Sequence, residues 1–183
     1  MNQLRPIKLL PADITLVPIS GPDFTVVRQL AATIWRKHYV GIISAAQIDY
    51  MLAARLCDDA LWEHVGAADR WLELLCLSGA PVGYCSYELG WIDPDEGRRA
   101  AMKVGQLYVL ESQRGLGLGR FMLRHIEERS RELGRQTLWL QVNKRNTGAA
   151  RFYEAAEFKV VREATFDIGG GFVMDDYVMA KPV

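Results

Sequence analysis

The sequence has no surplus of either charge: 22 Lys and Arg stand against 22 Asp and Glu, so the formal charge is zero with the three histidines neutral. Binding along DNA or RNA needs a clustered cationic excess to neutralise phosphates, so no nucleic acid is expected as a partner. Long apolar runs are also missing. No stretch approaches the roughly 20 residues that span a bilayer, and Pro6, Lys8, Pro11 and Asp13 interrupt any signal-peptide core. No membrane partner is expected, and the location expected is cytoplasmic. Cysteine is scarce: Cys57, Cys76 and Cys85 are odd in number and contain no C-x-x-C pair, which argues against a disulfide framework and a zinc site. Their apolar neighbours predict three small buried hydrophobes. His38, His64 and His125 share no ligand spacing, so no metal is expected. No repeat or Gly/Ser linker divides the chain. A folded monomer of this size would expose about 9,000 of the about 30,000 Å² of its unfolded chain, enough burial for one core, and residues 1–183 read as a single domain.

What is present is a series of short, well-punctuated segments. Ile14 to Ile19 reads as a strand and Pro22 to Tyr39 as a helix, while Ser44 with Gln47 three residues on predicts a capped second helix ending near Cys57. Trp71 to Leu77 and Val82 to Trp91 are β-prone and joined by Ser78-Gly79-Ala80-Pro81, which predicts an antiparallel hairpin. Ile92 to Gly97 reads as a loop. The strand Ala101 to Leu110 runs into Gly115, Gly117 and Gly119, and the helix beyond places Leu118, Met122, Ile126 and Leu133 on one face before Gly134 ends it. Thr137 to Val142 is a strand and Thr147 to Ala156 a helix; Phe158 to Phe166 and Phe172 to Met179 pair around Gly169-Gly170-Gly171. The order β-α-α-β-β-β-α-β-α-β-β contains one right-handed parallel crossover, Ala101 to Val142. It predicts an α/β fold with a mixed central sheet flanked by helices.

The chemistry concentrates where a strand meets the glycines. Leu107, Tyr108 and Val109 lead through Arg114, Gly115, Leu116, Gly117, Leu118, Gly119 and Arg120 onto a helix N-terminus. The first amides of a helix lack internal partners and carry the positive end of its dipole, and alternate glycines let a pyrophosphate reach them. The dinucleotide pattern G-x-G-x-x-G fails because Arg120 stands three after Gly117, and the P-loop pattern fails because no lysine follows Gly119. R-x-x-G-x-G, carried by Arg114, Gly117 and Gly119, resembles the acetyl-CoA-binding motif of the GNAT N-acetyltransferase superfamily. The likeness continues through Leu138 to Asn143, Asn146, Ala149, Ala150, Arg151, Phe152 and Tyr153. It departs at Glu157-Phe158, where relatives have Gly-Phe, and at Glu111, often proline. Its specific part runs from Gln106 to Val161, with the acetyl-CoA core at about 101–161. Trp35, Tyr39, Gln47, Tyr50, Met51 and Leu52 more loosely resemble prokaryotic members that act on small amines.

The resemblance implies that the fourth and fifth strands run parallel and splay apart. It implies acetyl-CoA as co-substrate, without a metal, held by Leu107, Tyr108, Val109, Arg114, Gly115, Leu116, Gly117, Leu118, Gly119, Arg120, Asn143, Asn146, Ala149, Phe152 and Tyr153. A primary amine would attack directly, and the acceptor expected is a small molecule or polyamine-like metabolite. A protein N-terminus or lysine is the alternative acceptor, and a non-catalytic acetyl-CoA-sensing module the alternative of another class. A longer acyl group and a homodimer stay open. The family's mechanism assigns the backbone amide of Val109 or its neighbour to the oxyanion, a donor worth ~3 kcal/mol, and Tyr153 to the departing thiolate. A phenol near pKa 10 is a weaker acid than a thiol near 8.5, so transfer is uphill by about 2 kcal/mol; donating a hydrogen bond describes Tyr153 better, with simple packing beside Phe152 as the alternative. A lysine-like amine must also lose a proton at neutral pH, at roughly 4.6 kcal/mol. Glu88 is the first candidate base, ahead of Glu111, Tyr39, His38 and Asp49. Asp175 and Asp176 either attract a cationic amine or form a solubilising charged turn on an exposed strand. Lys144, Arg145 and Arg151 either meet the 3′-phosphate of CoA or form a solvated basic edge.

Overall fold

The computed structural model describes residues 13–90 and 101–183; the proline-rich lead-in and the loop predicted at Ile92 to Gly97 lie outside the described residues. Among the described residues twelve strands and α-helices follow one another: β1 (Ile14–Pro18), α1 (Phe24–His38), α2 (Ala45–Arg55), α3 (Asp58–Trp62), β2 (Arg70–Leu77), β3 (Ala80–Leu89), β4 (Ala101–Val109), α4 (Leu118–Glu132), β5 (Thr137–Asn143), α5 (Thr147–Glu154), β6 (Lys159–Gly169) and β7 (Phe172–Pro182). The seven strands form one sheet in the order β1-β2-β3-β4-β5-β7-β6. Among the described residues only β4 and β5 pair in parallel, joined by the crossover through α4. The mixed sheet flanked by helices matches the expectation, and so do its eleven anticipated elements.

The twelfth, α3, is the first correction. Cys57 takes an extended conformation as its N-cap, and Asp58 and Asp59 fill the first turn, where carboxylates complement the helix dipole. The single turn exists because Leu61, 1% exposed, is driven into the core. Capping this turn places Cys57 at the surface, whereas Cys76 is half-buried and Cys85 buried; only Cys85 behaves as the small core hydrophobe expected of all three. The second correction concerns β7. It pairs with β5 on one side and β6 on the other, so the sheet edge is β6, and Asp175 and Asp176 do not stand on an exposed strand.

Two apolar layers cover the sheet. On one face α1, α2 and α3 pack Trp35, Ile34, Met51 and Leu61 against Leu72, Leu74, Tyr84 and Met174. On the other, α4 packs Leu118, Met122, Leu123 and Ile126 against Cys85, Met102, Leu138 and Leu140. Leu74 and Leu75 go to opposite layers, as the strand alternation requires. The apolar stripe of α4 recurs at helical spacing, and Gly134 (φ 66°) ends the helix. There Arg135 N–H donates to Ser130 O and Gly134 N–H to Arg131 O, both at 2.9 Å, the paired bonds of a Schellman cap.

The feature that builds the site lies between β4 and β5. Their pairing covers only Ala101↔Thr137 through Val104↔Leu140. The next residue, Gly105, is the extra residue of a bulge against β3, where Ser86 faces Gln106 but Tyr87 faces Val104. A Cβ at Gly105 would meet Ser86 Oγ at 2.8 Å, so any other residue here would displace that hydroxyl, and glycine allows the close approach. The bulge bends β4, as bulges do, and beyond it Gln106–Val109 and Gln141–Asn143 have no partners in one another.

Candidate active site

The splay opens a cleft of about 570 Å³ between the ends of β4 and β5, α5 and the start of α4. Leu110 N–H donates to Val82 O on β3 at 2.8 Å. Successive strand amides point to opposite sides, so the N–H groups of Leu107 and Val109 face away from β3 and into the cleft.

The glycine loop forms the far wall. Gly115 and Gly117 have φ of 77° and 85°, the left-handed region that glycine adopts without strain. Gly117 caps α4 with no side chain, and the first helical bond runs from Phe121 N–H to Gly117 O at 3.0 Å. The amides of Leu118, Gly119 and Arg120 therefore have no partner within the helix, and all three residues line the cleft. A Cβ at Gly119 would stand 3.5 Å from the Phe152 ring and 3.6 Å from Leu107 Cδ2. Those are ordinary contacts, so packing alone does not require glycine there; the open strip serves whatever enters the cleft.

Helix α5 supplies the third wall with Ala149, Phe152 and Tyr153. Asn146 caps it by accepting from Ala149 N–H at 3.3 Å, and its amide nitrogen lies 2.9 Å from His38 Nε2. The other ring nitrogen, Nδ1, lies 3.4 Å from the Arg114 guanidinium. Burial first, and Arg114 second, hold His38 below the usual histidine range, so the ring is neutral at pH 7. Tyr153 packs edge-on against Phe152 and Phe158 at 5.1 and 5.6 Å between ring centroids, and burial pushes its phenol well above the ordinary range.

Of the residues expected to bind the cofactor, only Leu116 is absent from the cleft lining; its side chain packs half-buried against the core beneath the loop. Arg120 points its guanidinium at Ala155 O, 3.0 Å away. Lys144 is held between Asp175 at 2.6 Å and Glu163 at 2.8 Å, and Arg145 donates to Gly41 O at 2.7 Å. Among the candidate bases, Tyr39 and His38 line the cleft. Asp49 is ion-paired with Arg36 at 2.9 Å on the surface, and Glu111 lies 3.8 Å from Lys37 in an exposed turn. Glu88 lines a second cavity of about 550 Å³, where it pairs with Lys103 at 3.6 Å.

This second cavity, walled by α2, β3 and the β6–β7 hairpin, meets the first at the splay. Both are lined by Tyr39, Gly105, Gln106, Tyr108, Gln141, Met174 and Asp176, and the hydroxyls of Tyr39 and Tyr108 lie 2.7 Å apart at the junction. Asp176 is 5% exposed, and its Oδ1 has no hydrogen-bond partner among the described residues. Burial raises its pKa to about 6 against the opposing pull of Arg55 and a hydrogen bond from Asn143. Sequence patterning grouped Asp176 with Asp175, although the two point to opposite faces of β7. The available signal was strand alternation, which must separate neighbours. Gly105 was equally findable, as a lone glycine inside a strand pattern.

Oriented amides at a helix N-terminus, a groove long enough for an extended ligand and an apolar lining by Leu107, Val109 and Phe152 suit a molecule with an anionic middle and an apolar arm. Comparison with known proteins agrees. An uncharacterized N-acetyltransferase of Methanocaldococcus jannaschii is 30% identical over 83 residues, 45% of this chain and 36% of that protein. Another, of Mycobacterium tuberculosis, is 30% identical over 80 residues, 44% of this chain and 51% of the relative. The chain thus matches about a third to a half of the length of these relatives. The crystal structure of PaiA N-acetyltransferase from Thermoplasma acidophilum in complex with coenzyme A superposes with a TM-score of 0.76 at 18% identity, covering 93% of this chain and 99% of that one. Residues 31–158, more than two thirds of the sequence, match the Acetyltransferase (GNAT) family, and the chain belongs to that family.

Proposed function

We propose that this chain is an N-acetyltransferase that passes the acetyl group of acetyl-CoA to the primary amine of a small molecule. The observation that carries the reading is the row of unpartnered amides at Leu118, Gly119 and Arg120 facing a cleft whose opposite wall is the unpaired end of β4. A pyrophosphate there would accept from those amides and meet the positive end of α4. The pantetheine arm fits along Leu107 to Val109, as an extra strand beside an unpaired strand edge. The Thermoplasma relative, solved with coenzyme A, supports the same ligand for this cleft.

Bound acetyl-CoA supplies an acyl group activated as a thioester. The chain's contribution is positional and electrostatic. The Val109 amide, aimed into the gap, donates to the carbonyl oxygen as negative charge grows on it. Tyr153 donates a hydrogen bond toward the sulfur; its raised pKa makes it a still poorer source of a whole proton than an ordinary phenol. The second cavity admits the acceptor from the other side of the splay. Tyr50 Oη donates to Ile168 O at 2.9 Å and thereby ties the β6–β7 hairpin to α2 over that cavity, which favours a small acceptor over a polypeptide.

The test is release of free CoA from acetyl-CoA in the presence of putrescine, spermidine, ethanolamine or L-lysine, run beside labelling of a cell lysate with radioactive acetyl-CoA. Transfer to at least one small amine is expected. Label entering protein alone would replace the small acceptor by a polypeptide.

A further inference from the structure

The geometry points to Asp176 as the group that takes the proton from the acceptor amine, a role for which Glu88 is the more obvious candidate on sequence. The inference rests on the acetyltransferase reading above and deepens it. Asp176 sits in the interior of β7, paired on one side with Asn143 of β5 and on the other with Ala164 of β6. It is nine-tenths buried, and the unpartnered Oδ1 belongs to a side chain that lines both cavities. An amine crossing from the second cavity toward the Val109 amide enters the junction that this carboxylate lines. Glu88 is likewise paired on both sides, with Arg70 and Lys103, but it is only half-buried. It lines the second cavity only, and Lys103 already neutralises it at 3.6 Å.

The groups facing Asp176 come from every surrounding element. Arg55 of α2 and Lys103 of β4 stabilise its charge, Asp175 of β7 opposes it, and the Asn143 side chain of β5 hydrogen-bonds to it. The phenol of Tyr39, which follows α1 as its C-cap, is close enough to feel its charge. Asn143 Oδ1 is occupied by Arg145 N–H at 3.0 Å, so its amide nitrogen is the end free to donate to the carboxylate. That bond leaves Oδ1 of Asp176 for the acceptor. The acceptor arrives as an ammonium ion and is drawn to the carboxylate. Asp176 takes one proton from the ammonium, which frees the nitrogen lone pair to form the bond to the acyl carbon. The C–S bond then breaks with its electron pair on sulfur, the second N–H proton passes to the departing thiolate so that CoA leaves as the thiol, and the proton on Asp176 returns to solvent through the second cavity.

The proposal is tested by the pH dependence of kcat/KM for the panel amine that turns over fastest, in the wild type, Asp176→Asn, Glu88→Gln and Asp175→Asn. Acetyl-CoA affinity is measured on each by calorimetry. The wild type should show a plateau from about pH 7 to pH 9, because a base with a pKa near 6 accepts from an ammonium that is the dominant form up to about pH 10. Asp176→Asn should lose about 100-fold at pH 7 and show no plateau. Its activity should climb about tenfold per pH unit toward the pKa of the amine, since only free amine now reacts. Its acetyl-CoA affinity should stay within about twofold, and Asp175→Asn should keep the plateau. A plateau preserved in Asp176→Asn and lost in Glu88→Gln would overturn the assignment while leaving the acetyltransferase reading intact. A wild-type chain that binds acetyl-CoA and acetylates no panel amine would overturn the small-amine reading and this inference together.

Discussion

Asp176 shows how one residue can lower stability and raise activity. Its folded pKa, near 6, lies above the ordinary aspartate value near 3.9, so the native state binds the proton more tightly than the unfolded chain. Stability then falls as pH rises from about 4 to 6, and the loss is fully present above that window. Asp176→Asn removes the buried charge. It should raise stability by about 1–2 kcal/mol at pH 8, roughly 2–8 °C in a chain of this size, and change it little at pH 4. Thermal melts of the two proteins at both pH values check this; an equal shift at both would mean the charge is not the cause. Tyr153 has the opposite profile. Removing its hydroxyl takes nothing from the aromatic packing against Phe152 and Phe158, but it deletes one hydrogen bond to a developing charge, worth about 1.5–3 kcal/mol. Tyr153→Phe should therefore lower kcat by about 10- to 100-fold with acetyl-CoA affinity retained. Unchanged kcat would leave Tyr153 as a packing residue.

At the scale of elements, α4 positions the anion site, so whatever fixes α4 fixes the loop. Its apolar stripe does most of this, and one polar tie adds to it. His125 Nε2 lies 2.9 Å from Glu73 Oε2 of β2, a carboxylate buried in the sheet that also accepts from Tyr87 Oη at 3.1 Å. The hydrogen bond to Glu73 raises the His125 pKa, with burial opposing. The added stability is fully present below the ordinary histidine value near 6.5 and fades as pH rises through the elevated one. His125→Ala leaves Glu73 with Tyr87 alone and should cost about 1–2 kcal/mol, read as a lower urea midpoint at pH 6. The difference should shrink at pH 9. A pH-independent loss would assign the effect to packing instead.

Most elements were legible in the sequence because their signals are local: Ser44 caps α2 with a bond to Gln47 N–H, Gly134 ends α4 and alternation marks the hairpins. The glycine loop was legible for the same reason, since its glycines, strand and helix are contiguous. The rest is set by long-range pairing. α3 is a single turn held by the burial of Leu61, too short for any periodicity to reveal. The interior place of β7 depends on β6 taking the sheet edge, and no segment of sequence records strand order. The value of Asp176 depends in turn on that order, because an aspartate on an edge strand would be solvated. Glu88 looked suitable as a base because its strand was placed correctly, but its pairing with Lys103 is a cross-strand contact invisible without register.

For the whole molecule, the absence of net charge acquires a physical meaning. A neutral chain can still hold a strongly anionic ligand when the positive potential comes from oriented amides and a helix dipole, which add no formal charge. Long-range steering should then be weak, and acetyl-CoA association should depend on ionic strength far less than nucleic-acid binding does. Among the described residues no helix is long and apolar enough to cross a membrane. The two cavities meet through the sheet at one point, and that point exists because a glycine bulge parts β4 from β5. The proposed function requires that cleft to hold acetyl-CoA against the start of α4. Calorimetric titration of acetyl-CoA into the wild type and Gly117→Asp tests this most directly. One molecule should bind per wild-type chain, and Gly117→Asp, which sets a negative side chain where the pyrophosphate must lie, should show no measurable binding while melting as a folded protein. Equal affinity in the two proteins would contradict the placement of the ligand.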